Sequence, residues 1–331
     1  MTPFDLLTEQ GRARRLREVV VAALAHYQID VARIRLLGQE TNTLFRIDVG
    51  DGSKLVMRVA DPHGNTAANM EIEADWLEEL HRAGLPVPQP VKTADGRAVI
   101  SAGAPGVPEE RDCVLFTWVP GKPLGAAAGV ADYTALGELS ARLHQSTERR
   151  PQPGGARQWD RVFYYPEDLD PVVIAVDAYA HLFTPHRRAV IGQVLAIAEP
   201  TLTRLHEGRV QLVHGDLHPW NVHRHRGRLW ALDFEDAMLA SPIQDIAISL
   251  FYNRDRADHP ELVAAFRNGY ETVRAWPDEA PSVVPTVMAA RTVMFMNYVA
   301  KDGGDAEPFF ERATNRLEAF LAAPGLIPLM L

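Results

Sequence analysis

The sequence predicts an α+β protein with two lobes, a small lobe built on an antiparallel sheet and a larger, mostly helical lobe. Residues 1–118 contain several short runs of alternating apolar and polar residues, which is typical of strands. The Pro120–Gly121 pair breaks the chain, and long helical patterns follow it. The length of 331 residues also suits about two domains. We therefore divide the chain at a hinge near residue 118, into lobes 1–118 and 119–331.

The small lobe is predicted to contain a hairpin, because Asp51–Gly52 separates two alternating runs. Gly84 follows an apolar helical stripe and marks the end of a helix. The predicted elements of this lobe are helices over 8–27 and 65–83 and strands over 43–49, 53–59, 97–101 and 113–119. Cys113, the only cysteine, lies in one of these apolar runs, which predicts a buried strand residue and not a reactive thiol.

The large lobe is predicted to be helical, with a strand-rich segment at 209–234. Its predicted helices cover 131–147, 185–205, 260–275, 281–300 and 307–322. The apolar stretch 283–299 comes closest to a membrane span, but Arg291 interrupts it, so we expect no span. The N-terminus shows no apolar signal-peptide core, so we expect a cytoplasmic protein. The net charge of −9 disfavours nucleic-acid binding, which needs a basic surface.

The most informative stretch is QLVHGDLHPWNV at 211–222, followed by LWALDFED at 229–236. Its two apolar strands deliver Asp216 and Asn221, five positions apart, and then Asp233. Phosphoryl transfer depends on positioning and charge neutralisation, and Mg²⁺ prefers oxygen ligands. Asn221 and Asp233 supply such ligands, while Asp216 is placed to face an acceptor hydroxyl and accept its proton. These residues predict an ATP-dependent kinase with Mg²⁺ as its metal.

These motifs resemble the aminoglycoside phosphotransferase/choline kinase group within the protein-kinase-like fold. The resemblance implies a bilobal protein-kinase-like fold, Asp216 as the catalytic aspartate, and Asn221 and Asp233 as metal ligands. The segment PIQDIA at 242–247 is also similar to the family, and implies that Asp245 ties the catalytic loop by hydrogen bonds. His214 is interpreted as a structural hydrogen-bonding residue near this loop. The spacing of the four histidines at 214, 218, 223 and 225 does not match a closed zinc site.

A kinase of this group needs a cation on the small-lobe sheet to reach the phosphates, and a helix carboxylate to hold that cation. The resemblance places Arg58 where the family usually has lysine, and arginine and lysine are not interchangeable at such a position. Lys54 is a poorer alternative because it lies beside the hairpin turn. Glu73 is the expected partner of Arg58, and Glu71 is its rival.

The remaining nucleotide contacts are predicted from the resemblance. The segment 37–43 would cover the phosphates, with Asn42 as the family-like residue, although it lacks a GxGxxG pattern. The backbone of the hinge, which contains Phe116, Thr117 and Trp118 and ends at Val119, would bind adenine. The side chains that would sandwich the base, or alternatively belong to the core, are Val56, Leu115 and Leu232.

The acceptor is predicted to be a small molecule with a hydroxyl group, such as an aminoglycoside, homoserine, a sugar or an amino alcohol. Candidate lining comes from 159–168 and from Asn297, Tyr298 and Asp302. Its acidic residues would suit a cationic acceptor, or alternatively belong to a solvated loop. One alternative is a protein Ser/Thr kinase of the bacterial stress-response type. Another is a non-catalytic nucleotide-binding module, which the intact Asp216, Asn221 and Asp233 disfavour. An acidic pocket beside Asp216 would indicate a cationic acceptor.

Overall fold

The computed structural model of the protein describes residues 2–39, 41–62, 64–167, 169–301 and 304–323. The chain divides into two compact units, Met1–Gly121 and Lys122–Leu331. The first contains an antiparallel sheet with two α-helices, and the second is mostly helical. The predicted α+β class is therefore confirmed.

The first unit is built on one five-stranded antiparallel sheet with the strand order β1-β2-β3-β5-β4. After a 3-10 helix at Phe4–Leu6, its elements are α1 (Glu9–Leu24), β1 (Val31–Gln39), β2 (Thr43–Val49), β3 (Lys54–Val59), α2 (Ala67–Arg82), β4 (Val99–Ala102) and β5 (Arg111–Thr117). Gly52 adopts a φ of 87° in the turn between β2 and β3, which glycine accommodates without a Cβ clash. The predicted hairpin at Asp51–Gly52 is thus confirmed.

The two faces of this sheet have different roles. One face packs on α1 and forms an apolar core that includes Met57, Val59, Cys113 and Leu115. Side chains alternate along a strand, so Arg58 points to the opposite face. Cys113 is fully buried, and burial raises its pKa to about 12. The prediction of a buried, unreactive cysteine agrees with this environment.

In its described residues, the second unit combines six α-helices and two short 3-10 helices with two small sheets. Its strands are β6 (Lys122–Pro123), β7 (Arg157–Gln158), β8 (Gln211–Val213), β9 (Val222–His225), β10 (Arg228–Ala231) and β11 (Met238–Ala240). Its α-helices are α3 (Val130–Thr147), α4 (Pro185–Glu207), α5 (Pro242–Phe251), α6 (His259–Glu271), α7 (Val283–Lys301) and α8 (Glu307–Ala322), with 3-10 helices at Gly125–Ala127 and Asp177–Tyr179. The strand orders are β10-β9-β6 and β7-β11-β8. The helix α5 was not predicted, although its PIQDIA segment was singled out.

The helices α3 and α6 approach each other closely at two glycines. A Cβ atom on Gly137 would lie 1.9 Å from the carbonyl oxygen of Phe266, and one on Gly269 would lie 1.8 Å from that of Thr134. Since neither position tolerates even a methyl group without backbone movement, the two backbones are in direct contact there.

The helix α7 is the one helix in the described part of the chain that is long and apolar enough to cross a membrane by length and composition. Most of it, 78% of its most apolar window, is buried inside the protein, as in the core helix of a soluble protein. It contains the buried Arg291, whose side chain has a specific partner described below.

Candidate active site

Asp216 follows β8, and its carboxylate accepts four hydrogen bonds. The hydroxyl of Tyr252 lies 3.0 Å from Oδ1, and a guanidinium nitrogen of Arg291 lies 2.9 Å from the same atom. On Oδ2, the ring Nε2 of His218 lies at 3.1 Å and the amide nitrogen of Asn221 at 3.2 Å. A carboxylate has about four lone-pair sites, so the side chain of Asp216 is fully coordinated by donors and held in one orientation.

The backbone on the N-terminal side of Asp216 is fixed by its neighbours. The Nε2 atom of His214 donates to the carbonyl oxygen of Leu232 at 2.9 Å, and its Nδ1 accepts the N–H of Asp216 at 3.3 Å. Gly215 has a φ of 81°, and a Cβ there would lie 2.2 Å from the carbonyl oxygen of Asp236. The structural role predicted for His214 is confirmed, and only glycine fits at position 215.

A buried chain of hydrogen bonds supports this loop from behind. The carboxylate of Asp245, on α5, accepts the N–H of Gly215 at 2.7 Å and bonds to Nε2 of His144 at 2.9 Å. The other ring nitrogen of His144 lies 3.0 Å from the hydroxyl of Tyr270. The tie that the sequence implied for Asp245 is therefore present, and it continues to α3 and α6.

Asn221 and Asp233 are brought together by the β9–β10 hairpin. Val222 pairs with Ala231 in this hairpin, and the N–H of Leu232 donates to the carbonyl oxygen of Asn221 at 2.9 Å. The side chain of Asp233 is exposed, and its φ of 63° lies in the left-handed region that non-glycine residues adopt infrequently. Such backbone geometry is concentrated at functional sites, because the surrounding structure must impose it.

The charges around Asp216 determine its ionisation. Burial by itself raises the pKa of Asp216, but the hydrogen bond from His218 and the positive charge of Arg291 outweigh burial and bring the pKa well below its ordinary value. The Nδ1 atom of His218 accepts the N–H of Trp220 at 3.1 Å, so its proton lies on Nε2 and points at Asp216. Burial lowers the pKa of His214, which is therefore neutral near pH 7.

Arg291 is the functional residue that the sequence analysis missed. It was noted only as an interruption of the apolar run 283–299. Its guanidinium, which is buried, donates to Asp216 and, at 2.8 Å, to the hydroxyl of Tyr164, and it lies 4.9 Å from the centre of the Phe295 ring. A single arginine in an otherwise apolar core helix needs a buried partner. The position of Arg291 within an apolar run of the sequence could therefore have indicated such a partner.

In the first unit, Arg58 and Glu73 form a two-point ion pair. One guanidinium nitrogen lies 3.0 Å from Oε1 of Glu73, a second bonds to Oε2, and both side chains are buried. The guanidinium also lies 5.2 Å from the centre of the Phe116 ring. The rival residues Glu71 and Lys54 are exposed. The predicted partner of Arg58 is thus confirmed, whereas its contact with phosphate stays a prediction.

The segment predicted to cover the phosphates is shorter than expected. Leu37–Gln39 belongs to β1 and Thr43 begins β2, so the connection itself is 40–42. Glu40 lies outside the described residues. The side-chain oxygen of Asn42 accepts the N–H of Asp61 at 3.1 Å, which ties the start of β2 to the end of β3. A role of Asn42 towards nucleotide stays a prediction.

The hinge already uses two of its backbone N–H groups. Thr117 donates to the carbonyl of Gln89 at 2.9 Å, and Trp118 donates to that of Lys54 at 3.2 Å. Any backbone contact with adenine therefore relies on the hinge carbonyls and on the N–H of Val119.

The predicted sandwich around adenine needs one correction. Leu115 pairs with Met57 on the sheet face that packs on α1, where both are fully buried. Val56 is adjacent to Met57 and points to the other face. Leu115 therefore belongs to the core and cannot share a ligand with Val56, whereas Phe116, which pairs with Val56, lies on the same face as Arg58.

The segment predicted to line the acceptor site contains both core residues and residues that bind charged side chains. Trp159 is 1% exposed and packs against Tyr164, with 5.4 Å between ring centres. The hydroxyl of Tyr165 donates to Asp236 at 2.6 Å. Asp168 lies outside the described residues.

The C-terminal candidates have separate roles. Asn297 is fully buried, and its side-chain oxygen accepts the N–H of Val173 at 2.7 Å, which is a structural contact. Tyr298 is 56% exposed. Asp302 lies outside the described residues.

The family model described as a phosphotransferase enzyme family, APH, matches residues 33–281, a span that contains both sets of residues above. The chain belongs to the APH phosphotransferase family. A homoserine kinase from Beijerinckia indica is 30% identical over 232 residues, which cover 66% of this chain and 65% of that protein. The predicted enzyme class, a phosphotransferase, is confirmed by the family.

Solved structures have the same fold as this APH protein. A microcompartment-associated aminopropanol kinase matches with a TM-score of 0.76 at 20% identity, covering 94% of this chain and 99% of the other. An amicoumacin kinase in complex with AMP-PNP and Ca²⁺ matches with a TM-score of 0.74 at 20% identity, covering 94% and 96%. At this identity the two structures confirm the kinase-like fold of the APH protein.

Proposed function

We propose that this APH-family protein transfers the γ-phosphate of ATP to a hydroxyl group of a small molecule, with Mg²⁺ bound during the reaction. The observation that supports this most directly is the position of Asn221, whose amide group holds the carboxylate of Asp216 and whose backbone leads to Asp233. Phosphoryl transfer needs a carboxylate towards the acceptor and oxygen ligands for a cation at adjacent positions, and this arrangement supplies both.

Asp216 is the proposed catalytic carboxylate, which orients the acceptor hydroxyl and receives its proton. Because four donors fill the carboxylate, one of them must give way when the acceptor hydroxyl binds. Arg291 is charged and buried, so displacing it is costly. Tyr252 is a neutral donor with a partly exposed side chain, and its hydroxyl is chemically similar to that of the incoming alcohol. The acceptor hydroxyl therefore takes the place of the Tyr252 hydroxyl.

The residues proposed for the metal fit a hard divalent cation. The amide nitrogen of Asn221 is used by Asp216, both at its carboxylate and at its carbonyl oxygen, so the amide oxygen is directed elsewhere. The side chain of Asp233 is exposed and ends in a carboxylate. One amide oxygen and one carboxylate match the few protein ligands that Mg²⁺ usually takes. The bound ion would neutralise charge on the phosphates.

Arg58 is the proposed phosphate-binding cation of the first unit. Its ion pair with Glu73 fixes the guanidinium on the sheet face opposite α1. Arginine presents more donors than lysine in a planar group, so it can hold the carboxylate and still direct an N–H towards a phosphate oxygen. The amicoumacin kinase with bound AMP-PNP supports nucleotide use by this fold.

The proposed acceptor class is a small alcohol. The related proteins are named for small molecules, homoserine, aminopropanol and amicoumacin, and none of these is a protein. An ADP-release assay with Mg²⁺-ATP tests this proposal across small alcohols and a generic protein acceptor. We expect acceptor-dependent release of ADP, its loss in Asp216→Ala, and retained ATP binding by that variant.

The matched control for this assay is Asp177→Asn, which changes an exposed carboxylate in a 3-10 helix of the same unit. Turnover that survives in Asp216→Ala would reject the role of Asp216. Transfer to the protein acceptor alone would support the alternative of a Ser/Thr kinase. ATP binding with no acceptor-dependent release would support a non-catalytic module.

A further inference from the structure

Two carboxylates, the proposed base and one that lies near it, are each paired with an arginine. Asp216 pairs with Arg291, at 2.9 Å. Asp236 pairs with Arg157, at 3.0 Å, and is linked to the same site through the adjacent rings of Tyr164 and Tyr165. The negative charge of these two carboxylates is therefore compensated by arginine, and neither of them offers an uncompensated charge to an ammonium group.

A third pair lies at the candidate acceptor residue Asn297. Its side-chain nitrogen is 3.3 Å from Asp170, and that carboxylate also binds the ammonium group of Lys301. The carboxylate of Asp170 is therefore also paired with a basic side chain, at the C-terminal end of α7.

Two arginines flank the aromatic cluster Phe251–Tyr252–Phe295 beside Asp216. Arg254 lies 3.6 Å from the centre of the Phe251 ring, and Arg291 lies 4.9 Å from that of Phe295. The rings of Phe251 and Phe295 are 5.6 Å apart, so both guanidinium groups border one aromatic cluster. The cluster reaches Asp216 through the hydroxyl of Tyr252.

The Nε atoms of both arginines are buried and have no hydrogen-bond partner among the residues described. Buried donors, above all those of charged groups, are rarely left unpaired in native proteins. A carboxylate that enters beside them gains charge-assisted hydrogen bonds, whereas an ammonium group meets like charge.

We infer that the acceptor of this enzyme is a small alcohol that bears a carboxylate and has no net positive charge. This inference rests on the proposed function, since it concerns the acceptor of that reaction. It restricts the acceptors predicted from the sequence, because aminoglycosides and simple amino alcohols are cations near pH 7 and hydroxy acids and hydroxy amino acids are not.

Three matched alcohols test the inference. Homoserine is a zwitterion, 3-aminopropan-1-ol is the same molecule without its carboxylate, and 4-hydroxybutanoate is homoserine without its amine. Calorimetric titration of the full chain with AMP-PNP and Mg²⁺ present measures binding of each alcohol, and ADP release measures transfer. We expect both carboxylate-bearing alcohols to bind saturably, with kcat/KM on the order of 100-fold above that of 3-aminopropan-1-ol.

Substitution of the arginines supplies the structural part of the test. Arg291→Gln and Arg254→Gln should reduce the preference for homoserine over 3-aminopropan-1-ol by about tenfold or more, because each removes the guanidinium and its unpaired Nε donor. The control Arg312→Gln removes the same charge from an exposed position on α8 and should leave the preference unchanged. If Arg291→Gln does not fold, the inference is still tested by Arg254→Gln and by the comparison of the three alcohols with the wild-type protein.

The outcomes separate this inference from the proposed function. Absence of saturable binding by both carboxylate-bearing alcohols overturns the inference, as does an equal or higher kcat/KM for 3-aminopropan-1-ol. Efficient phosphate transfer to 3-aminopropan-1-ol alone overturns the inference and leaves the proposed function intact. Saturable binding of homoserine with no ADP release from any alcohol overturns the proposed function and supports the inferred ligand class.

Discussion

The amide nitrogen of Asn221 lies 3.2 Å from the carboxylate of Asp216 and 3.0 Å from its carbonyl oxygen. Asn221 therefore has two tasks, since its nitrogen positions the proposed base and its oxygen is the proposed metal ligand. This relationship joins the two halves of the proposed chemistry in one side chain.

Asn221→Ala should lower kcat by about 10- to 100-fold, because a hydrogen bond to a charged group contributes about 1.5–3 kcal/mol. It should also raise the Mg²⁺ concentration needed for half-maximal activity. Steady-state kinetics at several Mg²⁺ concentrations measure both effects. The control Asn315→Ala removes an exposed asparagine from α8, and equal losses in the two variants would contradict the assignment.

Asp233→Asn should remove the Mg²⁺ dependence of ATP affinity with little change in thermal stability. Asparagine tolerates the left-handed backbone at this position, so the substitution removes the charge and keeps the geometry. Calorimetric titration with ATP, with and without Mg²⁺, measures the effect. An undiminished response to Mg²⁺ in the variant would overturn Asp233 as a ligand.

Glu73→Gln should destabilise the protein by about 3–5 kcal/mol, because it leaves the buried Arg58 without its compensating charge. The double variant Arg58→Met/Glu73→Leu should recover most of that stability, because both charges are removed together. Its ATP affinity should stay low if Arg58 contacts phosphate. Thermal melting and nucleotide titration of both variants provide the measurements, and wild-type ATP affinity in the double variant would reject the role of Arg58.

Gly215→Ala should abolish activity. It should also destabilise the protein by about 1–3 kcal/mol, which is the typical cost of adding a methyl group to a packed core. The added Cβ would lie 2.2 Å from the carbonyl oxygen of Asp236 and would displace Asp216. Gly227→Ala is the matched control, since its φ of 75° is similar and its Cβ would meet no atom within 4 Å. Comparable activity in the two variants would contradict this prediction, because it would show that the loop containing Asp216 accommodates the added methyl group.

Tyr252→Phe should lower the KM for the acceptor, because the hydroxyl that competes for Asp216 is removed while the ring remains. We expect kcat to change by less than about tenfold, since three donors still hold the carboxylate. Hydrolysis of ATP without acceptor should increase, because water can enter the vacated position. A large loss of kcat with unchanged KM would instead assign Tyr252 a role in catalysis.

Much of the first unit could be predicted from local sequence patterns. The hairpin turn and the alternating strands follow from short-range rules, and the Arg58–Glu73 pair follows from a family resemblance. The face on which a core residue lies was harder to predict, because Leu115 could be assigned only once its pairing with Met57 was known. Register between distant strands is set by tertiary packing.

In the second unit, Asp216 and Asn221 were predictable because they share one short loop. Arg291 was not, because it is 75 positions away from Asp216 along the chain and reaches it from another helix. The charge balance of the site depends on such long-range pairs. The expectation of an acidic acceptor pocket is based on the acidic residues alone, whereas the inference of a carboxylate-bearing acceptor is based on their basic partners.

The contact of α3 with α6 at Gly137 and Gly269 has a consequence for protein engineering. These helices supply His144 and Tyr270, which support Asp245 and through it the loop of Asp216. Random mutagenesis over the whole gene would place substitutions at both glycines and lose activity for reasons unrelated to specificity. A directed library restricted to the aromatic positions around Tyr252 would explore new acceptors while this support is preserved.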